Sequence, residues 1–213
     1  MFVDYEGELP PKRDHPWTVS ETNPNARYWN FREKLQSIPS ALEDFMPWSR
    51  YPAIPRFYEL LAWLNGNDSV FESNDSGLRP PRTDCDAPEV IRHAFSSDPV
   101  VVHGRLTIIF RDLVWNTSKP KVDAMKTAIH DALRDHVRNI PAVVKIGEWE
   151  HFFTSIKKPG HAMTLLFWAW GEDEEMAMGC LNATFEAIHA CLKWISDGLK
   201  GCGSSREIDR QKP

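Results

Sequence analysis

Glu148 and Glu150 stand two residues apart with His151 next in line. Such a grouping can carry acid–base chemistry if the side chains reach one substrate. His103, Arg105 and Arg111 would supply the cationic side of such an enzyme. Alternating acids also describe a solvated strand face, with Trp149 turned inward between them. Glu72 and Asp75 form a second carboxylate pair in a polar stretch, and Glu172-Asp173-Glu174-Glu175 is a run of four acids. That run complements the positive end of a helix, and it equally offers a negative surface to a basic partner. Trp48 and Tyr51 lie in an irregular region, where aromatics either fasten a layer to the core or meet a partner.

Metal and nucleophile templates fit poorly. His130 and His136 are six apart and fall on different helix faces. His189 and Cys191 would point about 200° apart on a helix, so neither pair chelates. Cys85, Cys180, Cys191 and Cys202 are spaced 95, 11 and 11, which is neither a disulfide framework nor a zinc ribbon. The two inside the last helix read as buried small hydrophobes. The chain has no G-x-G-x-x-G after a strand, no G-x-x-x-x-G-K-[ST], no H-E-x-x-H and no G-x-S-x-G. The expectation is a protein without metal or cofactor and without enzymatic activity.

The elements that must position these side chains follow from periodicity. Of 16 Pro, 13 lie at or before Pro120, so residues 1–66 read as a Pro- and aromatic-rich helical layer. Helices are expected from Asn23-Pro24 to Gln36, over Pro39 to Met46, and over Pro55 to Leu64, the last ended by a left-handed Asn65-Gly66 turn. Residues 67–99 read as a loop with a short helix from Pro88 to Phe95. A strand over 100–112 places Val102, Leu106, Ile108 and Phe110 on one face and His103, Arg105 and Thr107 on the other. A helix opens at Ser118-Lys119-Pro120 and carries Val122, Met125, Ile129, Leu133 and Val137 at helical spacing. Strands over 143–156, kinked near Gly147, and 162–170 follow, joined by a Lys158-Pro159-Gly160 turn. The second is apolar on both faces and is expected at the centre of the sheet. A helix from Glu172 to Leu199 then carries a stripe of Leu181, Phe185, Ile188, Leu192 and Ile195, and residues 201–213 read as a flexible tail. Trp63, Trp115, Trp168, Trp170 and Trp194 are expected in the core. The order β-α-β-β-α over 100–200 predicts one α+β domain, an antiparallel sheet with two long helices on one face.

Composition bounds the function. The chain has 213 residues, 42% of them hydrophobic, enough for a core without staples. Lys and Arg total 25 against 30 Asp and Glu, a net charge of −5 that disfavours general nucleic-acid binding. No apolar run has the length of a membrane span and no signal-peptide pattern opens the chain, so a cytoplasmic setting is expected. Nine Trp is the one extreme value.

Phe110-Arg111-Asp112-Leu113, the strand Leu166-Phe167-Trp168-Ala169-Trp170-Gly171 leading into an acidic helix, and Leu64-Asn65-Gly66 followed by Glu72-Ser73-Asn74-Asp75 resemble immunity proteins of bacterial polymorphic-toxin systems. The resemblance is to the α+β family found beside restriction-endonuclease-like nuclease toxins of type VI secretion. It covers residues 60–200 through short apolar motifs, and the first 55 residues add nothing to it. It implies a cytoplasmic, non-enzymatic protein that binds a cognate protein toxin, encoded by the adjacent gene, and blocks its active site. Glu72, Asp75, Glu148, Glu150 and Glu172 to Glu175, with Trp48 and Tyr51, are the candidate contacts. Two alternatives stay open: an enzyme using Glu148, Glu150 and His151 with Arg105 and Arg111, or a phage- or plasmid-encoded inhibitor of another defence system.

Overall fold

The computed structural model describes residues 1–9, 13–15, 31–41, 45–83, 90, 93, 99–136 and 139–208. Among these, the strands are β1 (Phe2–Glu8), β2 (Arg13–His15), β3 (Phe71–Ser73), β4 (Gly77–Arg82), β5 (Val100–Phe110), β6 (Ala142–Phe153) and β7 (Lys158–Gly171). The α-helices are α1 (Ile38–Ala41), α2 (Ala53–Asn65), α3 (Leu113–Asn116), α4 (Lys119–His136) and α5 (Glu174–Ile208).

All seven strands join one sheet in an α+β fold, with β7 between β6 and β5. β1 and β2 pair with the outer edge of β6, while β3 and β4 pair with the outer edge of β5. The antiparallel register sets Leu106 opposite Leu165 and Val144 opposite Phe167, which aligns the apolar alternates of three strands on one face. Helices α2, α4 and α5 all pack on that face. Phe167 sits at its centre, its ring 5.1 Å from Phe185 of α5 and 6.4 Å from Phe57 of α2. The stripe Leu181, Phe185, Ile188, Leu192 and Ile195 of α5 is buried there, as its spacing predicts. Cys191 is buried beside it, and burial pushes its thiol pKa up to about 12, which makes it an inert hydrophobe. Gly104 is required in β5, because a Cβ there would lie 2.4 Å from the Gly77 carbonyl oxygen and 2.8 Å from the Phe167 ring.

The opposite face carries two small apolar clusters, Val90, Val101, Val143 and Trp170 at one end and Ile109, Phe153 and Ala162 at the other. Between them the strands present polar groups.

The sheet is mixed rather than antiparallel, since β1 and β2 run parallel to β6. Residues 1–66 therefore contribute strands as well as helices. The stretch expected as a loop supplies β3 and β4, whose backbones complete the open edge of β5. Residues 31–37 form a turn and a single 3-10 turn in place of the expected helix end, and 21–30 lie outside the described residues. Of the helix expected over Pro39 to Met46, one turn is seen, with 42–44 outside the described residues. Most of 88–95 also lies outside them.

Helix α2 ends without a left-handed residue. Gly66 is extended (φ −75°, ψ 172°), and its N–H donates to the carbonyls of Ala62 and Trp63. β6 pairs with β7 continuously through Gly147, so it has no kink in that ladder. The hairpin turn lies at 154–157, with Lys157 at φ 52°, while Lys158, Pro159 and Gly160 already belong to β7. Helix α5 continues to Ile208 through the expected tail, and 209–213 lie outside the described residues. Of the tryptophans expected in the core, Trp170 is buried, Trp63, Trp115 and Trp168 are half-buried, and Trp194 is 67% exposed. No described helix is long and apolar enough to cross a membrane.

Candidate functional site

One corner of the molecule gathers sequence candidates from distant parts of the chain. Helix α5 is opened by Asp173, whose carboxylate accepts from the Met176 N–H at 2.8 Å, with Glu174 and Glu175 in its first turn. These charges face the positive helix terminus. A short 3-10 turn, Trp48–Arg50, leads into Tyr51 and α2. The Tyr51 hydroxyl donates to Glu174 Oε1 at 2.6 Å, and Arg50 Nη2 donates to the same oxygen at 3.2 Å and to the Tyr51 hydroxyl at 2.8 Å. The Arg50 guanidinium also lies over the Tyr51 ring, 4.8 Å from its centroid. Trp48 and Tyr51 are half-buried against the core, while Glu172, Asp173 and Glu175 face solvent. Met46 and Met176, at the margins of this group, are 65% and 47% exposed.

The other acidic candidates face inward. Glu72, on β3, accepts from Arg32 Nη1 and from His15 Nε2 at 2.9 Å. Burial, and then the Arg32 charge, push the His15 pKa down to about 4. The imidazole is therefore neutral at pH 7, and its contact with Glu72 is an N–H hydrogen bond rather than an ion pair. Asp75 is buried and accepts from Arg105 Nη2 at 2.8 Å, and the Arg105 guanidinium lies 5.8 Å from the Trp149 ring centroid. His151 is 2% exposed. Its Nδ1 lies 3.2 Å from the Trp149 carbonyl and its Nε2 2.8 Å from the Asn74 amide, so an Nδ1–H tautomer donates to one and accepts from the other. Thr107 and Thr164 hydrogen-bond across the strands at 3.0 Å. Together these groups form a polar layer on the sheet face opposite the helices.

Strand alternation separates the residues of the enzyme alternative. Glu148 and Glu150 pair with Met163 and His161 on the helix-covered face, whereas His151 and Arg105 lie on the other. Glu148 Oε2 accepts from Lys119 and Lys126 of α4, each at 2.7 Å, and both lysines also reach Asp123. Burial pushes the Glu148 carboxyl up, but the two lysine hydrogen bonds and charges outweigh it and hold the pKa below the ordinary range. Arg111 lies past the end of β5, where it donates to the carbonyls of Leu64, Gly66 and Phe71 and so closes the C-terminus of α2. The five residues form no common site.

Sequence reasoning missed His15, Arg32 and Asn74, the hydrogen-bond partners of Glu72 and His151 in the polar layer. Their only signal is the chance to pair across strands that were themselves unrecognised. Among the described residues, no three His, Cys, Asp or Glu side chains gather as they would around a metal ion. Comparison with protein-family models, with curated proteins and with solved structures finds no significant match for this chain.

Proposed function

We propose that this protein is an immunity protein, a binding module that meets a cognate toxin in the cytoplasm and covers its active site. The observation that carries the reading is the clasp of Tyr51 and Arg50 on Glu174. It fixes an aromatic and an arginine beside the exposed carboxylates of Glu172, Asp173 and Glu175. Aromatic, Met and Arg side chains are enriched in protein interfaces, and two exposed methionines flank the group. A nuclease toxin carries a basic surface for phosphates, and an acidic corner would speed its capture. Glu72, Asp75 and Glu148 are engaged by cations of the protein itself and fall out of the candidate contact set, which leaves the acidic start of α5 and the half-buried Glu150.

Co-expression with the protein encoded next door, followed by affinity measurement, tests the reading. Rescue of growth is expected, together with a loss of affinity of about tenfold or more for Glu172→Lys combined with Glu175→Lys. A neighbouring gene product whose toxicity the protein does not relieve would overturn it. So would a complex whose affinity is indifferent to both charge reversals.

A further inference from the structure

Among the described residues, β6 is the only strand that pairs with β1, so the other edge of β1 is open along Phe2–Glu8. An open edge offers a row of N–H and C=O groups to any extended chain, and proteins blunt such edges with short strands or proline. The far side of this sheet is blunted in both ways: β3 has three residues, and β4 carries Pro80-Pro81. β1 has seven residues and no proline, and its register with β6 shifts only past Tyr5.

Two donors of β1 are held by their own strand. The Tyr5 N–H donates to the Asp4 carboxylate at 2.8 Å, and the Gly7 N–H to the Glu6 carboxylate at 3.3 Å. A strand N–H points to one neighbour or the other, so both donors face the open edge. Each carboxylate stands where the carbonyl of an added strand would stand. Glu6 has a second partner, since its other oxygen accepts from Lys145 at 2.9 Å. Asp4 is exposed, and among the described residues no cation pairs with it.

Two aromatic rings frame the edge, one on each face of the sheet, because Phe2 and Tyr5 are three apart. Phe2 stacks on His93 at 3.8 Å and Tyr5 on His130 of α4 at 4.5 Å, yet they stay 49% and 45% exposed. Each ring is braced on one side by an imidazole and keeps much of its surface in solvent.

We propose that the open edge of β1 is a docking site for an extended, basic segment of a partner chain, which adds to the sheet as a further strand. Carbonyls of the incoming segment take the Tyr5 and Gly7 N–H groups. That releases the Asp4 carboxylate, which then needs a cation, so Lys or Arg stands opposite it. The rings of Phe2 and Tyr5 cover apolar parts of the segment from the two faces. A second copy of β1 does not fit, since it would set acids of one chain against acids of the other. The site uses no residue of the corner assigned to toxin binding, and its failure leaves that reading untouched.

Calorimetric titration of the full chain with a short peptide alternating Lys and Val tests the proposal, with two control peptides beside it. One replaces each Lys by Glu. The other is N-methylated at every residue, which keeps the charge and removes the donors. The basic peptide should bind with a Kd below about 1 mM, and both controls about tenfold or more weakly. Asp4→Asn keeps an oxygen for the Tyr5 N–H and loses the charge, so it should weaken the basic peptide about threefold. In NMR hydrogen exchange the Tyr5 and Gly7 amides should become protected when that peptide is bound. No saturable binding, equal binding of either control, an unchanged affinity in D4N, or amide exchange that the peptide leaves unaltered would each overturn the proposal. So would protection of the same two amides in the protein alone as it is concentrated, since a second copy would then hold the edge.

Discussion

On the helix-covered face, β5, β6 and β7 present Val102, Leu106, Ile146, Leu165 and Phe167 to α2, α4 and α5, and each is wholly buried. On the opposite face the same strands present Arg105, Thr107, Trp149, His151 and Thr164, and most of these are buried too. The first face is held by contacts that have no direction and do not titrate. The second is held by pairs in which each group has one suitable partner on a neighbouring element: Glu72 with Arg32 and His15, Asp75 with Arg105, Asn74 with His151. A slip of one residue would turn every such side chain to the wrong face. The apolar face thus supplies most of the stability, and the polar face specifies how the short edge strands β2 and β3 and the turn after β3 dock.

Truncating the centre of the apolar face should have the largest effect. Phe167→Ala removes a ring packed between Phe57 and Phe185 and should cost about 3–5 kcal/mol, read as a fall in the urea midpoint. On the polar face, Glu72→Ala leaves His15 and Arg32 without their acceptor and should cost about 2 kcal/mol, less because Arg32 is half exposed. The two losses should add when combined, since they act on opposite faces. If E72A costs as much as F167A, the polar layer is a second core rather than a docking device.

How much of this was legible depends on whether a residue's partner lies within its own element. The face of β5, the stripe of α5 and the central place of β7 were readable because periodicity within one segment decides them. The parallel pairing of β1 with β6 was not, because Asp4 and Glu6 break up the apolar pattern of β1 and its partner lies some 140 residues away. Residues 71–82 read as loop because Ser, Asn, Asp, Gly and Pro dominate them, yet the open edge of β5 imposes strand geometry there. The corner shows the same limit. Tyr51 and Glu174 were each singled out, but nothing in either segment announced that they touch. Separating Glu148 and Glu150 from His151 needed no structure, since alternation alone puts them on opposite faces.

Acid should weaken the polar face selectively. The folded-state pKa of His15, about 4, lies below the ordinary histidine value of 6.5. The unfolded chain therefore takes up the proton first, and the stability from keeping His15 neutral is complete above pH 6.5 and lost as pH falls toward 4. His15→Gln keeps an N–H donor near Glu72 and does not titrate, so its urea midpoint should fall less than that of the wild type between about pH 7 and about pH 5. His103 and His189 are shifted in the same direction by burial, and both remain in H15Q, so the difference between the two curves isolates His15. The destabilisation by F167A should stay constant over the same range. A wild-type curve that H15Q reproduces would place the acid sensitivity elsewhere.

The smallest effect is expected at Trp194, where the contrast between faces reaches the outside of the molecule. Leu192 and Ile195 face the core from α5, and Trp194 lies on the far side of that helix, 67% exposed. Its aromatic character points to the core, but its helical position points away from it. Trp194→Ala should shift stability by no more than about 0.5 kcal/mol, at every protein concentration. A loss that grows as the protein is concentrated would mean that a second copy covers the indole, and sedimentation of wild type and W194A would then differ. Equal sedimentation with unchanged unfolding leaves Trp194 as an ordinary exposed side chain, and keeps the apolar contacts of α5 on the side that faces the sheet.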